Sequence, residues 1–327
     1  MPPMLGAVAV LSFVVAFVAL RVLLSRFARI ALDQPNERSL HENPVPRTGG
    51  IAVLAGSAVS FAFGAADLWL PLGLALALAV LSFVDDVHRL PTLVRLGAHL
   101  AAAVLLVWYV LSPIHPVEMV LLILAVAWIT NLYNFMDGSD GLAGGMAAIG
   151  FAAYGVAAWW GGELALAAAC VAISSAAVAF LLHNHHPARI FLGDVGSIPL
   201  GFLAAALGLF GWREDLWPLW FPVLVFGPFI GDATLTLVRR LLRRERVWQA
   251  HRDHYYQRMV RMGLGHRGTA WAAYVVMLVC ALAALAGRGQ APELQAAAFF
   301  GTSALLAVLA IWVDVRWTRF RRVQGAG

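Results

Sequence analysis

Long apolar runs, interrupted by short polar stretches, recur along the entire chain. A bilayer hydrocarbon core of roughly 30 Å takes about 20 apolar residues as a helix, so runs of this length read as membrane spans. Eleven can be marked, at approximately residues 4–24, 49–66, 68–84, 93–111, 116–132, 141–160, 163–183, 196–212, 216–242, 269–287 and 294–313. Several are short, and those rich in Gly and Ala allow close helix–helix contact. The first has no basic residue before Arg21 and is too long for a signal-peptide core, so it is expected to be a retained span. No period of 20–50 residues repeats, which argues against a repeat array. The pattern predicts an all-α integral membrane protein, one polytopic domain over residues 1–327 with about eleven transmembrane helices, ten being the other admissible count.

Composition strengthens this reading. The chain is 61% hydrophobic and 13% charged, about half the charge of a soluble domain. It contains no lysine, so all 23 basic residues are arginines and lysine-based catalysis is excluded. Cys170 and Cys280 sit apart inside apolar runs and read as packing residues, not as a metal or disulfide pair. Positive charge marks the cytoplasmic side. With the N-terminus outside, 21 of the 23 arginines fall in inner segments, leaving only Arg213 and Arg288 outside. The expected orientation is N-out, C-in.

On that orientation the outer connections are short and bland. The inner ones, at 33–48, 85–89, 131–140, 183–194 and 239–267, hold nearly every reactive side chain. Five distant segments are thus expected to meet at one cytoplasmic face, as a site for a large charged substrate requires. Asp85 and Asp86 close the third span; they are either helix-end charges facing headgroups or a functional pair. The stretch from Asn131 through Asn134, Asp137 and Asp140 to Gly145 offers hard oxygen donors among glycines, more than a plain turn between helices needs. Phe191-Leu-Gly193-Asp194-Val-Gly196-Ser197 places a carboxylate at a helix start, as an N-cap or as a metal donor. His183-Asn-His185-His186 invites a zinc reading, rejected because no Cys accompanies it and adjacent histidines rarely share one tetrahedral ion. The arginine- and histidine-rich loop at 239–268 carries five arginines from Arg239 to Arg246, then His251-Arg252-Asp253-His254. Headgroup binding is one account of the arginines, and pyrophosphate contact is preferred for the histidines. Together the parts suit phosphoryl transfer with a hard cation, Mg²⁺ rather than zinc.

These motifs resemble those of the polyprenyl-phosphate N-acetylhexosamine-1-phosphate transferases, the superfamily of the lipid I synthase and of the enzymes that initiate O-antigen and teichoic acid. The match runs in order from Asp33-Gln-Pro-Asn-Glu-Arg38-Ser-Leu-His41 and Pro46-Arg-Thr-Gly-Gly50 through Asp85-Asp86, Asn131–Gly145, Pro187–Ser197 and Asp232 with Arg239 to His251–His254. The first span and the last two match only in being apolar. The resemblance implies ten or eleven helices around a cytoplasmic cleft with a groove for the lipid phosphate. It implies Asp194 as the principal Mg²⁺ ligand, with Mn²⁺ as the alternative ion and Asn134 assisting. Asp85 would deprotonate or position the lipid phosphate with Asp86 in support, and Asp140 would read the uracil edge. His251, Arg252 and His254 would contact the phosphates or sugar of the donor. Asn131, Asp137, Phe191, Arg38 and His41 complete the expected substrate contacts. Two departures stand out: Asp253 occupies the third place of a His-x-His-His pattern, and Ser39 stands where many members have Lys.

The expected reaction moves HexNAc-1-phosphate from a UDP-HexNAc to undecaprenyl phosphate and releases UMP, starting an O-antigen-like envelope polysaccharide at the bacterial inner membrane. UDP-GlcNAc or a deoxy relative such as UDP-FucNAc or UDP-QuiNAc is the expected donor, and a homodimer is compatible with this reading. A lipid I synthase acting on UDP-MurNAc-pentapeptide is the alternative within the class. From other classes come a secondary transporter, which would place its polar residues near the midplane of broken helices, and a non-catalytic lipid-binding scaffold.

Overall fold

A computed structural model describes residues 2–27, 31–33, 44–64, 68–88, 90–246 and 251–324. Arg38 and His41 lie outside these. Among the described residues, nine helical stretches are long and apolar enough to cross a membrane. They are α1 (Pro3–Arg26), α3 (Trp69–His88), α4 (Thr92–Leu111), α5 (Pro116–Phe135), α6 (Leu142–Trp160), α7 (Leu164–Asn184), α8 (Asp194–Arg213), the stretch Tyr255–Gly287, which kinks at Gly263, and α13 (Pro292–Gln324). The chain is therefore an all-helical integral membrane protein.

Two of the eleven expected spans take other forms. Residues 49–63 make a short helix, α2 (Gly49–Ser57), which tightens into a 3₁₀ segment (Ala58–Phe63) ending at Gly64. The run at 216–242 divides into α9 (Trp220–Val225) and α10 (Gly227–Leu242). Pro228 lacks an N–H and cannot continue the α9 hydrogen-bond ladder, so the helix restarts there. An aromatic cluster holds the break: Tyr154 stacks on Trp217 and Phe221 and meets Phe226 edge-on.

The expected loop at 239–268 is also largely helical. α10 runs on to Leu242; α11 (Tyr255–Met259) and a π-helical turn (Val260–Leu264) lead into α12 (Gly265–Gly287). The cause is tertiary: a carboxylate from α10 caps α11, as described below. A two-residue antiparallel pair, β1 (Leu32–Asp33) with β2 (Val45–Pro46), pairs Leu32 with Pro46 and Asp33 with Val45.

α8 is the central helix, buried on nearly every side, and packs along α3 and α5. Its small residues permit this. The polar side chains cluster at the C-terminal ends of α3, α5 and α7 and at the N-terminal ends of α2, α4 and α8. Helices that alternate in direction thus bring them to one end of the bundle. An open apolar groove runs between α5, α8 and the α9–α10 break, lined by Leu122, Val126, Ile129, Leu209, Phe226 and Ile230 among others.

Candidate active site

The strand β2 and the start of α2 are tied to the segment before α8. Phe191 N–H donates to Pro46 O at 2.7 Å, and Gly49 and Gly50 N–H donate to Phe191 O and Leu192 O at 2.9 Å each. This approach leaves no room for side chains: a Cβ on Gly50 would lie 2.3 Å from the Gly196 backbone. Gly193 adopts φ +71°, and a Cβ there would lie 2.2 Å from Arg47 O. The two glycine-containing motifs, 141 residues apart or more, are halves of one structure that sets Arg47 against Asp194.

Arg47 bridges three carboxylates from three elements. Its Nη2 stands 3.4 Å from Asp194 Oδ1, and its Nη1 lies 3.8 Å from Asp33 Oδ1 and 3.9 Å from Asp86 Oδ1. Burial alone would lower the Arg47 pKa, but Asp194, Asp86, Asp33 and Asp137 together raise it, so the guanidinium is held charged. Asp137 joins the centre from the loop after α5 and accepts the Gly193 N–H. Burial first, and then the Asp194 charge, push the Asp137 carboxyl well above the usual carboxylate range. Asn134 Oδ1 accepts a 2.8 Å hydrogen bond from Ser197 Oγ, one turn into α8 from Asp194. Asn131 contacts His99 Nδ1 through Oδ1 at 3.2 Å and donates to Ala127 O at 2.7 Å.

Asp85 and Asp86 part company here. Both Asp85 oxygens are taken, Oδ2 by Arg95 Nη1 at 2.8 Å and Oδ1 by Leu90 N–H at 2.7 Å. Asp86 faces the Arg47 centre instead. Adjacent helical residues point about 100° apart, so one geometry cannot serve both.

Asp140 forms a second cluster. Its Oδ2 accepts from His186 Nδ1 at 2.7 Å and from Ala188 N–H at 3.1 Å, and His266 Nδ1 lies 3.7 Å from Oδ1. The His186 and His266 rings stack with centroids 5.4 Å apart. His183 instead packs on Phe17, so the histidines of the 183–186 run go to different neighbours. Phe191 is half-buried in the tie between β2 and α8.

The His251–His254 segment is fixed by Asp232. That carboxylate accepts the N–H groups of Tyr255 at 2.9 Å and Tyr256 at 3.0 Å and meets His254 Nδ1 at 3.1 Å. It therefore caps the N-terminus of α11, where unpaired N–H groups favour an anion. Tyr256 OH reaches Phe135 O at 3.1 Å, docking α11 beside the end of α5. His251 packs against His254 at 4.9 Å. Burial first, with His254 and Arg240 nearby, lowers the His251 pKa to about 4, so its imidazole is neutral at physiological pH. Asp253 pairs with Arg240 Nη1 at 2.6 Å, which gives the departure from the His-x-His-His pattern a partner. Arg252 is half-buried.

The donor chemistry fits a hard divalent cation. Four carboxyl groups (Asp33, Asp86, Asp137, Asp194) and the Asn134 amide gather around one guanidinium, with no thiol nearby; an oxygen-only set suits Mg²⁺. Among the described residues, no three His, Cys, Asp or Glu side chains stand in preformed ligating geometry.

The sequence reading gave no role to Arg47, although it lies within a quoted motif and the surplus of aspartates over nearby cations was the signal for it, nor to Arg95, His99 and His266, which pair with Asp85, Asn131 and Asp140.

These observations define a polytopic helical membrane protein with an arginine-bridged carboxylate centre at one end of its bundle. Comparison with known proteins places it more narrowly. The chain belongs to glycosyl transferase family 4, whose model matches residues 68–211. It is 30% identical over 321 residues to an undecaprenyl-phosphate alpha-N-acetylglucosaminyl 1-phosphate transferase of Salmonella typhi, covering 89% of this chain and 85% of that one. It is also 30% identical over 332 residues to a decaprenyl-phosphate N-acetylglucosaminephosphotransferase of Mycobacterium tuberculosis, covering 86% and 81%. A similar match of 30% over 290 residues, 80% and 76%, joins it to the Escherichia coli K12 undecaprenyl-phosphate transferase of the same description.

Proposed function

We propose that this protein transfers HexNAc-1-phosphate from a UDP-HexNAc to a polyprenyl phosphate, undecaprenyl phosphate in the first instance, and releases UMP. The observation that carries the reading is the Arg47-bridged centre of Asp33, Asp86, Asp137 and Asp194 at one end of the bundle. It occurs in a chain whose relatives are named for this transfer. A phosphate oxygen of the lipid attacks the sugar-bearing phosphorus of the donor; the bond to UMP breaks, and a polyprenyl-diphosphate sugar remains in the membrane.

Asp86 faces the centre and holds or removes the proton of the lipid phosphate, whose second pKa of about 6 leaves part of it protonated at neutral pH. Asp85 acts through Arg95, presenting that guanidinium to a phosphate. Asp194, with Asn134 and Asp137, would hold Mg²⁺, or Mn²⁺ in its place. Held there, the ion would supply positive charge against the negative charge that develops on the leaving UMP. His251, Arg252 and His254 receive the donor's phosphates or sugar, His251 as a neutral hydrogen-bonding group. Asp140, held by His186 and Ala188, and Asn131 border the nucleotide side. The apolar groove beside the α9–α10 break takes the prenyl chain.

For the donor we propose UDP-GlcNAc, with UDP-FucNAc and UDP-QuiNAc as deoxy variants. A panel of these and UDP-MurNAc-pentapeptide, with purified protein and undecaprenyl phosphate, tests this by which lipid-linked product forms. Product from the MurNAc donor alone would make the chain a lipid I synthase. Lack of product from every donor would remove the transferase reading.

The reading sets the protein in the bacterial plasma membrane, N-out and C-in, with eleven crossings if residues 49–63 and 220–242 each count as one. The site then faces the cytoplasm. A reporter fused after Gly327 is expected to read as cytoplasmic and a tag inserted after Gly289 as periplasmic. The opposite pair of signals would overturn the orientation and the site's access to UDP-sugar together.

A further inference from the structure

The last helix enters the site through one side chain. α13 is apolar over most of its length, and a carboxylate on such a helix is costly unless it is paired. Asp314 is paired three times, with partners from two other elements. Its Oδ1 accepts from Arg239 Nη1 at the end of α10 and from Arg258 Nη1 of α11 at 2.9 Å. Its Oδ2 accepts from Tyr255 OH at 3.3 Å. Both guanidinium groups also lie over the Tyr255 ring, at 5.3 Å for Arg239 and 5.2 Å for Arg258. Tyr255 follows His254 directly, and its N–H is one of those Asp232 collects. The two aspartates therefore grip α11 from opposite ends of one residue, Asp232 at its backbone and Asp314 at its phenol.

We propose that Asp314 is a positioning residue for the nucleotide-sugar side of the site. Acting through Arg239, Arg258 and Tyr255, it fixes α11 so that His251, Arg252 and His254 stand ready to receive the donor. This rests on the reading above that the 251–254 segment meets the donor. Without the Asp314 carboxylate, the two arginines lose their shared acceptor and crowd one ring with like charge. α11 then keeps its Asp232 cap and the Tyr256 contact with α5 but loses its tie to α13. The consequence falls on donor binding and leaves the acceptor groove, on the α5–α8 side, untouched.

The test is steady-state kinetics on the full-length protein, with UDP-GlcNAc and undecaprenyl phosphate varied in turn. Asp314→Asn is expected to raise donor KM about tenfold, a displacement effect of the size that misplaced binding groups give. Acceptor KM stays at the wild-type value. Tyr255→Phe, which removes one of the three bonds and keeps the ring, is expected to raise donor KM by about threefold, and Asp314→Glu to restore most of the wild-type value. The double variant Arg239→Gln with Asp314→Asn should be no worse than Asp314→Asn alone, since both cut one connection. Amide hydrogen exchange over residues 255–258 should quicken in Asp314→Asn. A residue that merely packs would lower the melting temperature and move neither the KM split nor the Arg239 coupling; that result, or equal rises in both KM values, overturns the proposal. His254→Ala separates the two layers: if it leaves donor KM unchanged, the donor assignment of the segment is wrong, whereas a raised KM there with Asp314→Asn unaffected sinks the role of Asp314 alone.

Discussion

Asp194→Asn is expected to lower transfer by about 10³-fold, roughly 4 kcal/mol of transition-state stabilisation, while protein yield and melting stay near wild type. The size follows from charge. Asparagine keeps the shape of the side chain and one oxygen donor but removes the negative charge that a hard divalent ion needs most. The small structural cost follows from the geometry. Asp194 meets Arg47 at 3.4 Å, a long contact, and Arg47 also has Asp33 and Asp86 within 4 Å as partners that the substitution does not touch. Removing one carboxylate from a group of four around a single guanidinium also relieves like-charge repulsion. Transfer of label from UDP-GlcNAc into the lipid fraction at saturating Mg²⁺, alongside a melting curve, measures both halves. Retention of more than about a tenth of wild-type turnover would put the metal on another residue.

The hydrophobic pattern made most of this architecture readable, and the reasons it stopped short are physical. A span longer than the bilayer leaves a signature that survives averaging, so the long helices stand out. The interruption inside 216–242 does not, because Pro222 and Pro228 are apolar enough to vanish into a hydropathy window although they forbid a continuous hydrogen-bond ladder. The meeting of distant polar segments at one end followed from counting loops by side, and the structure brings Arg47, Asp86, Asn134, Asp137 and Asp194 together there. The different partners of Asp85 and Asp86 were hidden, since adjacency in sequence does not say which side of a helix faces a partner. The short helix α11 was read as loop because its start depends on Asp232, which lies 23 residues before Tyr255. Asp314 shows the same limit in sharper form. A single carboxylate at the end of an apolar run has no spacing that betrays its role, and only the three side chains it holds reveal it.

Labelled UMP is expected to enter UDP-HexNAc when the wild-type protein is given its lipid product, with Mg²⁺ required. Transfer between two phosphate acceptors makes one diphosphate bond for each one broken, so the equilibrium lies near balance and the reverse reaction is readily observed. A transporter or a lipid-binding scaffold has no route to that exchange. The two adjacent aspartates then report on the acceptor side separately. Asp86→Asn removes the group facing the Arg47 centre, and exchange should fall by about 10²- to 10³-fold, the usual contribution of a positioned acid or base. Asp85→Asn leaves Asp86 in place and frees Arg95 from its 2.8 Å partner, so a smaller loss, about tenfold, is expected, recovered in part by raising the lipid concentration. Binding of UDP-GlcNAc, followed by calorimetry in the absence of lipid, should change little in either variant. If Asp85→Asn proves the more damaging of the two at normal folding, the proton belongs to Asp85 and Asp86 becomes its support. If either variant loses donor binding instead, that carboxylate serves the metal or the nucleotide. A wild-type protein that shows no exchange, with both substrates verified, is not a transferase.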